Sequence, residues 1–189
     1  EVRYVKLTAK EGSNMIAITS FQNDNWMHNA FWTGTGMLDV ARYDGMGSVL
    51  AVGEHPMDVA WYGDTAILVY NDSAVNNRVH WYKWTDIGGW VQQSDAFFAN
   101  MEDTESVVLK SNPHNNTVLC MIGDDFGKMF IYKYNGTSWT ALNNAESIID
   151  SRSVQDGVAF DFSFKEYPVI YTRVHAAGTT DDAFDSPGS

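Results

Sequence analysis

The sequence predicts an all-β chain built from repeats of one four-stranded antiparallel unit. The first observation is a period, because the most apolar short runs recur at a fixed interval of 51 residues. The matching positions are Ile16, Ile67, Val118 and Val169. The second is composition, since Val, Ile, Tyr, Trp and Phe fill runs that Gly, Asn, Asp and Ser separate. The third is that no stretch shows a convincing helical periodicity.

Each unit is predicted to contain four strands, in the order strand, turn, strand, loop, strand, tight turn, strand. In the second unit we expect them at about residues 57–62, 65–70, 78–85 and 89–93. The second strand of each unit is almost entirely apolar, which indicates burial on both faces. The third strand is rich in aromatic residues, and a Gly-containing turn then leads to a large apolar residue that begins the fourth strand.

Turn residues separate the predicted strands. Gly63-Asp64 and Asn115-Asn116 are expected to join the first strand to the second in their units. Asn135-Gly136 predicts a type I′ hairpin turn between the third and fourth strands, because that turn requires positive φ at both central residues.

Four antiparallel strands in a unit of about 40–50 residues are typical of the blade of a β-propeller. A four-stranded sheet that is apolar on both faces cannot bury itself, whereas radial stacking gives every face a partner. The predicted fold is therefore a β-propeller-like domain at residues 1–175, followed by an acidic, linker-like tail at 176–189. A β-sandwich or an open stack of the same repeats is the alternative.

The propeller prediction implies about four repeats, of which the last is incomplete. Their expected bounds are about 1–54, 55–104, 105–155 and 156–175. The last repeat lacks an aromatic third strand and a Gly–Trp turn. An unfinished blade exposes a sheet edge, which favours pairing with a strand of another molecule.

Charge and composition exclude several classes of partner. The 189 residues carry 12 Lys and Arg against 24 Asp and Glu, a net charge of −12, so nucleic acid and anionic membranes are not expected as partners. No apolar run approaches the roughly 18–20 residues of a membrane span, and no signal peptide is recognisable. We expect a processed chain or a piece of a longer one. The single cysteine, Cys120, is expected to be a buried, inert thiol of a second strand.

Residues 82–90 and 132–139 combine an aromatic strand, a Gly-containing turn and a tryptophan at the start of the next strand. In this they resemble the repeats of bacterial and archaeal cell-surface β-propeller proteins. The resemblance implies a propeller fold and an extracellular or cell-surface location. It leaves the function open, because propellers support many unrelated activities.

A weaker similarity is to the Asp-box of sialidase-type propellers. Asp86-x-Gly88-x-Trp90 is one residue short of that motif, and a second partial match at Asp125 lies between strands where the motif does not belong. A sialidase would also need an arginine cluster and a Tyr/Glu pair, and the sequence places no such pair. No catalytic residue is therefore predicted.

The loops between the second and third strands share one face of a propeller, where ligand sites usually lie. The candidate ligand-binding residues in or beside these loops are Asp24, Trp26, Asp72, Asp124, Asp125 and Phe126. The acids are also good turn residues, so a purely structural role is one interpretation. A rim of carboxylates would alternatively bind Ca²⁺, or it would bind sugar hydroxyls with the aromatic rings as stacking platforms. No cofactor is predicted apart from this calcium alternative.

Two functions from different classes follow from these features. The first is a non-catalytic extracellular surface or filament module, acting in adhesion or assembly through strand exchange with copies of itself or with further repeats of a parent chain. The second is a glycan-binding lectin or a sialidase-like glycoside hydrolase on the same scaffold. Three Asn-x-Ser/Thr sequons, at Asn71, Asn115 and Asn135, are expected in turns where a glycan would be tolerated.

Overall fold

The computed structural model describes most of the first three repeats and part of the fourth. The described residues are 2–22, 26–44, 56–72, 78–94, 98, 104–112, 115–124, 128–142, 146–147, 159–164 and 168–173. Within these ranges the regular elements are β-strands, and no helix there is long and apolar enough to cross a membrane.

The strands form three larger sheets and one hairpin, all antiparallel. The first sheet contains β1 (Val2–Ala9), β2 (Ile16–Gln22), β3 (Trp26–Trp32) and β4 (Met37–Asp44). The second sheet contains β5 (Met57–Tyr62), β6 (Thr65–Asp72), β7 (Arg78–Thr85) and β8 (Gly89–Gln92). The third sheet contains β9 (Thr104–Asn112), β10 (Thr117–Asp124), β11 (Lys128–Tyr134), β12 (Trp139–Ala141) and β13 (Glu146–Ser147). The hairpin contains β14 (Ala159–Phe164) and β15 (Pro168–Arg173).

Strands follow one another across each of the first two sheets in chain order, as the repeat predicts. In the third sheet both β12 and β13 pair with β11, so together they occupy the place of a fourth strand. The four strands predicted for the second unit agree with β5–β8 to within two residues at each end. The sequence pattern therefore predicted the strands of this sheet correctly.

The first strands of the sheets lie side by side, and this places the sheets face to face. β5 contacts β1 on one side and β9 on the other, and β14 contacts β9. One buried apolar cluster joins the first sheet to the second, and another joins the second to the third. This is the arrangement of blades in a β-propeller, and the chain is an all-β protein of that kind. The described part of the fourth repeat is a two-stranded hairpin, so the count of four repeats remains a prediction.

Residues that are 51 positions apart do not always occupy equivalent places in their sheets, because their side chains can point to opposite faces. In β2 it is Ala17 that packs against the second sheet, so Ile16 points the other way. In β6, Ile67 packs toward the third sheet, whereas Val118 of β10 packs back toward the second. The structural counterpart of Ile16 and Val118 is consequently Ala66, which is buried against the first sheet.

This difference has a simple cause in the turns. Residues 10–15 join β1 to β2, whereas only Gly63 and Asp64 join β5 to β6. A shift of one residue along a strand reverses the face of every side chain. Because these strands are apolar on both faces, the sequence contains no polar alternation that would have revealed the shift.

The turn at Asn135-Gly136 differs from the predicted type I′ turn. Gly136 has a φ of 99°, but Asn135 is not among the described residues with positive φ. Asn135 Oδ1 accepts hydrogen bonds from the backbone N–H groups of Thr137 and Ser138, both at 3.0 Å. The asparagine side chain therefore closes a four-residue loop itself, which removes the need for a second positive φ.

Candidate functional site

The boundaries between neighbouring sheets are apolar cores that enclose a few polar side chains. At the first boundary Phe31 packs on Trp84 with ring centroids 4.1 Å apart, and at the second Trp81 packs on Trp139 at 5.7 Å. A buried polar atom without a hydrogen-bond partner costs about 1–3 kcal/mol, so each one needs a reason. In the described part of the chain such atoms belong to His28, Asn29, Asn71, Trp90, Thr104, Ser106 and Trp139.

Two of these side chains meet at the boundary between the second and third sheets, and we call their contact the Asn71–Thr104 junction. Asn71 lies near the end of β6 and Thr104 begins β9; they are 2% and 3% exposed. Asn71 Nδ2 donates to the backbone oxygen of Thr104, and Asn71 N donates to Pro56 O at 2.7 Å. Asn71 Oδ1 and Thr104 Oγ1 are left without a protein partner. The junction therefore contains one unpaired acceptor and one unpaired hydroxyl, and both are buried inside the boundary.

The junction lies at the end of the sheets where the predicted ligand loops begin. Asp72 follows Asn71 in β6, and the backbone of Asp124 pairs with Thr104 across a bulge between β9 and β10. Two of the predicted ligand-binding residues are thus brought to either side of one boundary, although their side chains are outside the described part of the structure.

Asn29 is a second buried polar group, at the boundary between the first and second sheets. It lies on β3 opposite Thr19 of β2, between Met27 and Phe31, which both pack against the second sheet. The residue is 1% exposed, and neither Oδ1 nor Nδ2 has a protein partner. Its neighbour Thr19 is satisfied by a 3.3 Å contact from Oγ1 to Met57 Sδ. Asn29 therefore leaves one donor and one acceptor unpaired inside an apolar boundary.

Asp58 is a buried carboxylate that joins three sheets. Its Oδ1 accepts from Val59 N at 2.7 Å, and its Oδ2 accepts from Leu109 N of the third sheet at 2.9 Å. Lys6 of the first sheet places its Nζ 3.1 Å from the same Oδ2. Burial raises the pKa of Asp58, and Lys6 opposes that rise. Both oxygens are engaged by fixed donors, so the arrangement holds the sheets together and leaves neither oxygen free for acid–base chemistry.

The remaining predicted site residues have different outcomes. Trp26 is the first residue of β3, is partly buried, and pairs across the strands with Asp44. Asp24, Asp125 and Phe126 lie outside the described residues, and so does the tail at 176–189. Within the described ranges no three His, Cys, Asp or Glu side chains come together as a metal site, so the calcium alternative gains no support from them.

The predictions for Cys120 and for two of the three sequons are confirmed, and the prediction for the third sequon is wrong. Asn115 and Asn135 are exposed turn residues, as expected, but Asn71 lies in a strand and is buried. Its amide is held by Thr104 O, so the prediction of a turn at this sequon was wrong. Cys120 is buried in β10, where burial raises the pKa of its thiol well above the usual value, in agreement with an inert core cysteine.

Sequence reasoning missed Asn29, Thr104 and Asp58 as residues of interest. A signal existed for Asp58, because it stands between Met57 and Val59 in an otherwise apolar strand, and an unpaired charge is almost never buried there. Asn29 carried a similar signal inside the aromatic run of β3. Thr104 carried none, because its role depends on the neighbouring sheet.

Comparisons with known proteins identify the fold and no closer relationship. No family model matches the chain, and no curated protein matches it. Two solved structures share the fold, each with a TM-score of 0.57 over 89% of this chain. One is the lectin of Aleuria aurantia, as a mutant in complex with α-methyl-L-fucoside, at 13% identity. The other is a mutant of AofleA from Arthrobotrys oligospora, at 12% identity.

The match covers 53% of the first of these chains and 49% of the second. The present chain therefore spans about half the length of the solved structures that it resembles. At this level of identity the likeness concerns the fold of the sheets and not the residues of any binding site.

Proposed function

We propose that the chain is a non-enzymatic, glycan-binding β-propeller module whose ligand binds at a boundary between neighbouring sheets. The observation that carries the proposal is the Asn71–Thr104 junction. There an amide oxygen and a hydroxyl are held by the fold without a protein partner, at the end of the sheets where Asp72 and Asp124 also lie. Sugars bind proteins through such fixed acceptors and donors, because each ring presents neighbouring hydroxyl groups.

The likeness to the Aleuria aurantia lectin supports the same conclusion. That lectin carries α-methyl-L-fucoside on a fold which this chain shares over 89% of its length. A shared scaffold does not transfer a ligand, so fucose is the first sugar to test and not a conclusion. A neutral or weakly polar sugar also suits this chain, because its net charge of −12 would repel anionic glycans.

A glycoside hydrolase on the same scaffold is less favoured than a glycan-binding protein. The one buried carboxylate whose side chain is described, Asp58, is engaged by Val59 N, Leu109 N and Lys6 Nζ. A glycosidase needs two carboxyl groups that flank the scissile bond, with one free to donate a proton. The described side chains therefore lend hydrolysis no support, and the proposal is one of binding.

A glycan array followed by calorimetry with methyl α-L-fucoside and other monosaccharides tests the proposal. We expect the chain to bind at least one sugar class, with Thr104→Val weakening the affinity by about 3- to 10-fold, the value of one hydrogen bond. Valine keeps the shape of threonine, and Thr104 Oγ1 has no protein partner, so the variant should retain its thermal stability. Thr140→Val, at an exposed position of β12, is the matched control and should bind like the wild type.

Two results would overturn the proposal. One is a wild-type chain that binds no glycan on the array and gives no heat with any monosaccharide. The other is sugar binding that Thr104→Val and Thr140→Val leave equally unchanged, since the ligand would then lie elsewhere.

The assembly role remains a second candidate. It is favoured by an exposed apolar face of the first sheet that includes Val5, Leu7, Trp32 and Met37, although through packing of faces and not through the exchange of strands. An extracellular or surface location and a resemblance to cell-surface propeller repeats agree with either function and remain proposals.

A further inference from the structure

The first sheet has an apolar face that points away from the rest of the described chain. Val5 and Leu7 of β1 are 51% and 60% exposed, and Trp32 and Met37 at the other side of the sheet are 37% and 53% exposed. The register makes this one continuous surface, because Leu7 pairs with Ile18 and Trp32 pairs with both Ile16 and Met37. We call it the open face.

The open face has the same arrangement of residues as the faces that the second and third sheets pack against the preceding sheet. Its edge pair is Trp32 with Met37, and the pairs at the same place are Trp84 with Trp90 and Tyr134 with Trp139. Trp90 stacks on Phe31 of the first sheet, with ring centroids 5.5 Å apart. Trp139 packs on Trp81 of the second sheet at 5.7 Å, edge to face.

The inner strands show the same correspondence. Leu7 pairs with Ile18 as Val59 pairs with Leu68 and as Leu109 pairs with Cys120. Val59 and Leu109 are 1% and 2% exposed, whereas Leu7 is 60% exposed. The open face is therefore built like a boundary between blades, but among the described residues no sheet covers it.

We infer that a second copy of this chain covers the open face, so that two chains close one ring of sheets. The far end of the row is the β14–β15 hairpin, which contacts β9; the second and third sheets separate it from the first sheet. The chain matches only 53% and 49% of the two solved structures that share its fold. A second copy would supply about the length that a closed ring of that size still needs, and head-to-tail contact that closes on itself forms a ring instead of a filament.

Charge permits this contact in spite of the acidic chain. Among its described side chains the open face is mostly aliphatic and aromatic, with Ser20, Gln22 and His28 as polar members. Lys6 points to the opposite side of the first sheet, where its Nζ meets Asp58 of the second sheet. A contiguous exposed apolar surface of this kind marks an interaction site.

Sedimentation and light scattering of the 189-residue chain at tens of micromolar test the inference. We expect a mass twice the 21.2 kDa of one chain. Leu7→Asp should raise the dissociation constant by about 10- to 100-fold, because it buries a charge in an apolar contact. Met37→Glu, on the most peripheral strand of the face, should do the same and guards against a folding defect in the first variant. Ile87→Asp is the matched control, since Ile87 is 95% exposed in the turn between β7 and β8 and should leave the dimer intact.

Three results would overturn the inference. A wild-type chain that stays monomeric shows that no second copy covers the face. A dimer that persists in well-folded Leu7→Asp and Met37→Glu variants uses another surface. A mass that grows beyond two chains with concentration excludes the closed ring.

Discussion

Trp90 of the second sheet stacks on Phe31 of the first, with ring centroids 5.5 Å apart and ring planes inclined by 18°. Trp139 of the third sheet meets Trp81 of the second at 5.7 Å, edge to face. The tryptophan that begins the fourth strand of a repeat therefore packs on the third strand of the preceding sheet. The motif that suggested a blade is thus a contact between blades, and it links the local turn to the assembly of the whole fold.

Replacing these tryptophans should weaken the contact between neighbouring sheets and so lower the free energy of unfolding. Trp139 is 4% exposed, so Trp139→Ala should lower the free energy of unfolding by about 3–5 kcal/mol, the usual cost of truncating a buried aromatic side chain. Trp90 is only partly buried, and Trp90→Ala should cost less. Denaturant unfolding measures both. Val91→Ala, beside Trp90 but 51% exposed, is the control and should change stability little; equal losses for the three variants would contradict this role for the tryptophans.

Asp58 should be needed for three sheets to stay together. Asp58→Ala would leave Lys6 and Leu109 N without their acceptor, and breaking a buried ion pair from one side costs about 3–5 kcal/mol. Asp58→Asn keeps one acceptor oxygen and should cost less. Unfolding of Asp58→Ala, Lys6→Ala and the double variant measures the pair in a double-mutant cycle. Additive losses in that cycle would show that Lys6 and Asp58 do not interact.

The contribution of Asp58 to the free energy of unfolding should change with pH in a definite direction. Burial, opposed by Lys6, raises the pKa of Asp58 above its usual 3.8, so the folded state prefers the protonated carboxyl. Its contribution to stability is complete below pH 3.8 and decreases as the pH rises through the folded pKa. The stability difference between the wild type and Asp58→Asn should therefore narrow from acid to neutral pH. A difference that widens instead would mean that the ion pair lowers the pKa in the folded chain.

The sequence predicted the strands well because their signals are local. Aromatic and β-branched runs separated by Gly, Asn and Asp define β5–β8 almost to the residue. The faces of the strands were not predictable in the same way. Ile16 and Ile67 match in the sequence yet point to opposite sides of their sheets, because the turn before β6 is shorter and both faces of the strand are apolar.

The binding role of the predicted ligand loops stays a prediction. The loops at one end of the sheets were chosen for their acids, and the structure places Asp72 and Asp124 on either side of the Asn71–Thr104 junction. The junction itself depends on a contact between β6 of one sheet and β9 of the next. Contacts between repeats leave no trace in the pattern within a repeat, so neither Thr104 nor the buried amide of Asn71 was recognised.

Cys120 should be unreactive in the folded protein. It is fully buried in β10, and burial raises the pKa of its thiol, which suppresses the nucleophilic thiolate. A thiol reagent such as dithionitrobenzoate should leave the native chain unmodified and release one equivalent of chromophore once denaturant is added. Rapid labelling under native conditions would show that β10 is accessible and that the second boundary opens readily.

Gly136→Ala should destabilise the third sheet through two separate effects. The residue has a φ of 99°, where an L-side chain costs about 1–2 kcal/mol. A Cβ atom would also lie 2.5 Å from Tyr62 Oη, which donates to Asn135 O at 2.9 Å and so ties this turn to the second sheet.

Gly12→Ala is the matched control, because Gly12 has a φ of 67° and nothing lies within 4 Å of its added Cβ. In urea unfolding Gly136→Ala should lose about 2–4 kcal/mol and Gly12→Ala only the backbone cost of about 1–2 kcal/mol. Equal losses for the two variants would mean that Tyr62 moves aside freely, and the turn would then contribute nothing to the contact between the second and third sheets.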